Sequence, residues 1–137
     1  MSRKVDWAFI VLRVGMGVFF IFEGLEKVSW LGSSEPLASA LRRWMETATP
    51  AGRWYLETIA IPGAPVFARL VFFGEIATGL SFLTGKMTRI AAIPAIVMVV
   101  NFYVAHSQIF SYAFLSQGDG LPVLGSLTAI ALNSKNK

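Results

Sequence analysis

Trp7 to Val28 reads WAFIVLRVGMGVFFIFEGLEKV, and this stretch decides the fold. It is apolar almost throughout and long enough, at 1.5 Å per residue, to cross a hydrocarbon core of about 30 Å. Arg13, Gly17, Gly24 and Lys27 interrupt it. Steps of four, seven and three hold those four residues within about 40° of one line on a helix. A cation facing lipid costs roughly 3 kcal/mol, so a partner or a task must hold it there. The stretch predicts a membrane helix with one polar seam.

Composition points the same way. Of 137 residues, 55% are hydrophobic and only 15% charged, against the roughly 25% charged expected of a soluble domain. Mean hydropathy is +0.60. The length fits one domain, residues 1–137. Net charge is +4, which in a membrane chain reflects basic cytoplasmic flanks and argues against a nucleic-acid partner. A reading of the first run as a signal peptide cleaved after Ala38-Ser39-Ala40 is set aside. The run is too long for such a segment, and charged residues separate it from the small ones.

Working outward, three more apolar segments follow. The second span is Val66 to Thr84 and the third is Arg89 to Ala105, with Pro94 inside it as an expected kink. The fourth, Leu121 to Leu132, covers only about 18 Å. It is expected either to extend through Asn133 and Ser134, with Lys135 reaching the headgroups, or to leave the bilayer locally thin. Pro122 suits the first turn of that helix. The connection Ser29 to Pro65 carries Leu37, Leu41, Trp44 and Ala48 at helical spacing after Pro36. It predicts a short amphipathic helix with Arg42 and Arg43 on its solvated face. The fold class expected is therefore all-α, an integral membrane four-helix bundle with that amphipathic helix in its first outer connection. Arg3, Lys4, Lys86, Arg89, Lys135 and Lys137 fall on one side of a four-span chain, against Lys27, Arg42, Arg43 and Arg53 on the other. This bias favours both termini in the cytoplasm, in a bacterial-type plasma membrane.

The seam continues in the second span, where Glu75, Gly79, Phe82 and Lys86 share a face. Depth counted from the inner ends brings Arg13 within reach of Glu75, the first candidate ion pair. Arg69 and Glu23 match in depth near the outer ends, although Glu23 also precedes Lys27 by four, the favourable order for a local pair. Arg13, Glu23, Lys27, Arg69 and Glu75 are the candidate ligand-binding residues, and Gly17, Gly24 and Gly79 the candidate packing residues. Two roles stay open: pairs that only hold helices together, or the lining of a pocket for a polar head such as a quinone carbonyl.

Several chemistries have no residues to support them. Cysteine is absent and His106 is the sole histidine. Thiol relays, bis-histidine haem and paired Glu-x-x-His di-iron sites are thereby excluded within the chain, and no metal site is expected. No phosphate loop, dinucleotide fingerprint or H-E-x-x-H is present. A histidine at the end of a span reads most simply as interfacial.

RVGMGVFFIFEGLEK, Arg13 through Lys27, resembles the first-helix signature of the DoxX family. EIATGLSFLTGKMTRIAA, Glu75 through Ala92, resembles that family's second signature. The resemblance covers the first three spans and implies a four-helix membrane fold. Relatives of this kind include the membrane subunit of thiosulfate:quinone oxidoreductase and proteins associated with oxidative-stress enzymes. Two departures stand out: Glu23 occupies a position where the family often has histidine, and the chain ends ALNSKNK instead of in a Gly-rich turn and Ser-Leu-Asp. The resemblance implies a membrane subunit associated with a quinone-linked oxidoreductase, with quinone as the candidate cofactor, the lipid bilayer around it and other protein subunits as partners. The alternative is a non-catalytic accessory subunit of a larger respiratory or photosynthetic complex. A small transporter or channel is a third idea and would need a continuous polar path.

Overall fold

The computed structural model describes residues 5–133, and every described element is helical. Arg3, Lys4, Lys135 and Lys137, which carry much of the orientation argument, lie outside the described residues, as does any extension of the last helix past Asn133. Helix α1 is Trp7–Glu26. Asp6 starts it by accepting a hydrogen bond from the Phe9 amide at 3.0 Å, which satisfies one of the free N–H groups of the first turn. A short 3₁₀ turn, Val28–Leu31, leads to α2, Glu35–Met45. Helix α3, Pro50–Tyr55, continues as a π turn over Leu56–Ala60. Helix α4 is Ala64–Thr84 and α5 is Thr88–Ala105. The short α6, Tyr112–Ser116, precedes α7, Leu121–Asn133.

Three of these helices, α1, α4 and α5, are long and apolar enough to cross a membrane, and α7 is a shorter apolar helix of 13 residues. Helix α5 passes through Pro94 as one element. Helix α2 buries Leu37, Ala38 and Leu41 and leaves Arg42 and Arg43 exposed. The spacing did not anticipate α3, the π turn or α6.

Helix α1 lies along α4, α5 along α7, and the two pairs touch through α4–α5 and α1–α7. Glycine sets the α1–α4 distance. A Cβ on Gly79 would sit 2.7 Å from Ile21 Cγ1 and 2.9 Å from the Gly17 carbonyl oxygen; one on Gly17 would sit 3.1 Å from the Gly79 oxygen. Backbone atoms cannot swing aside, so a side chain at either position would force the helices apart. A Cβ on Gly24 would meet the Ile76 side chain, with Cδ1 at 2.6 Å, and the Ile76 amide nitrogen at 3.3 Å.

These contacts fix the register. Gly17 is level with Leu83, and Gly24 with Ile76. Helix α1 therefore ends about 15 Å short of the start of α4, and its own start runs about 12 Å past the Lys86 turn. The overhanging part of α4 still needs apolar cover. Helix α2 and the π turn supply it, in a core of Leu37, Leu41, Leu56, Ala60, Ala64, Ala68 and Ala105. A second core, Phe20, Phe82, Ala92, Ala95, Leu127 and Ile130, fills the centre of α1, α4, α5 and α7.

Candidate functional site

Where α1 stops short, its last charged residue turns inward. Lys27 ends α1, and its Nζ lies 3.0 Å from Glu23 Oε2, 3.0 Å from the Glu23 carbonyl oxygen and 3.1 Å from Glu75 Oε2. The sequence produces this locally: a glutamate four residues before a lysine forms the favourable helical pair, and a cation suits the carbonyl end of a helix. The unusual member is Glu75. It stands near the middle of α4 and is 7% exposed. Its Oε2 has no aligned hydrogen bond and depends on the charge of Lys27. The ammonium also lies 5.8 Å from the centre of the Trp30 ring, within range of a cation–π attraction.

This cluster lines a cavity of about 360 Å³. Phe19 and Phe20 of α1 and Met98, Val99 and Phe102 of α5 form its apolar walls. Trp44 of α2 and His106 cover one side, stacked with ring centres 4.5 Å apart and planes at 24°. Burial pushes the His106 imidazole below its ordinary pKa, because taking it from water disfavours the charged form. On the side near α7, Tyr103 interacts with Asp119, and Gln108 and Gln117 complete the polar rim. The cavity thus pairs one cation and a few hydrogen-bonding groups with aromatic walls, the usual make-up of a small-molecule site.

Of the candidate residues, Glu23, Lys27 and Glu75 come together here. Arg13 and Arg69 do not. Arg13 was expected to pair with Glu75; instead its Nη1 lies 2.5 Å from the Phe82 carbonyl oxygen and 3.4 Å from that of Leu83. It caps the carbonyl end of α4 above Gly85, whose φ of +74° ends that helix. The correction follows from register: counting depth from Asp6 and Lys86 took those residues as level, whereas the helices are offset by about 12 Å. Arg69 was weighed against Glu23. It donates to the carbonyl oxygens of Pro65, at 2.6 Å, and Leu31, at 3.3 Å, and so ties α4 to the 3₁₀ turn. Glu23 pairs with Lys27.

As site residues Trp44, Tyr103 and Asp119 escaped the sequence reading, which placed Trp44 only on the helix after Pro36 and Asp119 only near the start of the fourth span. Asp119 had a signal that could have found it: it is the sole charged residue between Arg89 and Lys135. Among the described residues, no group of three or more His, Asp or Glu side chains could hold a metal.

Membrane-length apolar helices around a buried ion cluster define a small helical membrane protein. The family model described as DoxX matches residues 8–107, and the chain belongs to the DoxX family. No curated protein and no solved structure matches it.

Proposed function

We propose that this protein is a quinone-binding membrane subunit that works with a separate electron donor. The observation that carries the reading is the Lys27 ammonium, only 14% exposed, facing a cavity with aromatic walls. A quinone ring is flat and apolar, with two carbonyl acceptors. Lys27 Nζ donates two of its three protons to the Glu23 carbonyl and carboxylate oxygens; the third makes no aligned hydrogen bond to Glu75 and is the one a quinone carbonyl would take, while Phe19, Phe20 and Phe102 suit the ring faces. When bound, the quinone supplies two-electron, two-proton acceptor chemistry. The chain's own part is to hold one carbonyl oxygen on Lys27, fix Lys27 with Glu23 and Glu75, and keep water away with Trp44 and His106. The chain has no cysteine and one histidine, so electrons enter through a partner protein or a further cofactor.

The finer architecture belongs to the same proposal: a four-helix bundle crossing a bacterial-type plasma membrane four times, with α7 as the short crossing, α2 as an amphipathic cap and both termini in the cytoplasm. Offset helices support it, because α2 lies over the part of α4 that α1 leaves bare.

Equilibrium binding of a tail-less benzoquinone to detergent-solubilised protein tests the function, read by quenching of tryptophan fluorescence that is lost in Trp44→Phe. Lys27→Met, confirmed helical by circular dichroism, is expected to weaken binding at least tenfold. Arg13→Leu is expected to bind within twofold of the native chain, since Arg13 lies about 21 Å along α1 from Lys27. Equal affinity in native protein and folded Lys27→Met would defeat the quinone reading and leave the accessory-subunit alternative.

A further inference from the structure

Beside the polar cavity lies a second, larger space. It is an apolar groove of about 1110 Å³ between α4 and α5, lined by Leu70, Phe73 and Ala77 on one side and Ile93, Pro94 and Val97 on the other. Trp44, Met98 and Phe102 line both spaces, so the two meet at one wall of three side chains. Two of these, Met98 and Phe102, are on α5 and are only partly buried. The Met98 thioether is unbranched and easily repositioned.

Two of the other helix seams are tightly packed. Along α1–α4 the backbones meet at Gly17 and Gly79 with no room for a Cβ, and the Ile76 side chain lies against Gly24. Between α5 and α7, Ala92, Ala95, Leu127 and Ile130 are fully packed. A chain of carbons leaving the cavity toward lipid therefore finds a ready space between α4 and α5. The cavity is also small. Its 360 Å³ lies near the bottom of the roughly 300–1,000 Å³ range of ligand sites. It accommodates a ring and not a long tail.

We propose that the α4–α5 groove holds the hydrocarbon tail of an amphiphile whose polar ring occupies the Lys27–Glu75 cavity, with Met98 and Phe102 as the threshold between them. The ligand class is a lipid-soluble ring compound with an extended hydrocarbon chain, entering sideways from the bilayer. This rests on reading the cavity as a head-group site. It adds the ligand's tail, its route and the residues that select for it.

The test compares two probes on the full chain in lipid nanodiscs: a benzoquinone without a side chain, and the same ring with a long isoprenoid tail ending in a diazirine. Gly74→Leu fills the groove beside Met98, whose sulfur would lie 3.7 Å from a Cβ at Gly74. Ile93→Trp narrows it from a position 50% exposed, and decides the matter where Gly74→Leu fails to fold. In both variants the tail-less ring should bind within twofold of native. The tailed probe should bind at least tenfold more weakly. Photolysis of the native complex should label Leu70, Phe73, Ile93 or Val97. Unchanged binding of the tailed probe in Ile93→Trp, or labelling confined to α1 and α7, overturns the groove assignment while the head-group reading stands. Failure of the tail-less ring to bind native protein in a Lys27-dependent way removes the head-group reading, and the groove assignment with it.

Discussion

Replacing Lys27 by methionine leaves two carboxylates without their cation, and one of them, Glu75, is 7% exposed. At 3.1 Å and an effective dielectric of ~20, the gross attraction between Lys27 and Glu75 is about 5 kcal/mol. Desolvation offsets part of it, so the pair need not be a net gain over two apolar side chains. Breaking it from one side is different, because an uncompensated charge stays buried. Lys27→Met should therefore destabilise by about 3–5 kcal/mol. Glu75→Leu leaves Lys27 with Glu23 and should cost less, about 1–3 kcal/mol. Glu23→Gln removes a partner whose side chain is 37% exposed and should cost at most about 1 kcal/mol. The double variant Lys27→Met/Glu75→Leu removes both buried charges. It should fall short of the sum of the single losses by about 2 kcal/mol or more. Reversible unfolding in mixed micelles with increasing sodium dodecyl sulfate, followed by far-ultraviolet circular dichroism, gives all four values. Losses for Lys27 and Glu75 that add within about 0.5 kcal/mol would refute the pairing.

Two further expectations follow from the same geometry. The His106 pKa is lowered in the folded chain, so the unfolded chain binds a proton first. Its contribution to stability is full above the ordinary value of about 6.5 and declines as pH falls through it toward the folded value; His106→Phe should remove this component from the pH–stability curve, and an unaltered curve would show that the imidazole is not the group responsible. Single cysteines report the proposed orientation cleanly, because the native chain has none: Ser33→Cys should react with a membrane-impermeant maleimide on intact bacterial cells and Met87→Cys only after lysis, and the opposite pattern would invert the topology.

Much of the fold was legible because lipid makes an unambiguous demand. An apolar run of 20 residues cannot be placed in water, and Trp7–Glu26, Ala64–Thr84 and Thr88–Ala105 begin and end within two residues of where apolar character does. Caps mark the ends: Asp6 at the first, and Gly85, free to take a positive φ, at the second. The connection was harder. Helix α2 shows itself by spacing, since Leu37 and Leu41 face one way and Arg42 and Arg43 another. The turn over Leu56–Ala60 has π geometry, which has a different period, and its residues are apolar on more than one side. Periodicity could not mark it off.

The site was half legible, and the mispairing of Arg13 and Arg69 has one cause. Periodicity says which residues share a face of one helix; it correctly grouped Glu23 near Lys27 and put Glu75 on an inward face. It says nothing of how far two helices slide along each other. Membrane helices of equal length invite the assumption that their ends are level. Here glycine contacts settle the offset, because Gly17 and Gly79 admit one close approach and that approach puts Gly24 at Ile76. A slide of one helical turn would move Lys27 about 5 Å along α4, beyond the reach of a direct ion pair with Glu75. The packing glycines and the buried charges are thus one device: the small residues fix the register, and the register delivers the single cation to the carboxylate at mid-helix. It follows that enlarging Gly79 should disturb the Lys27 cluster, about two turns away, as well as the local packing.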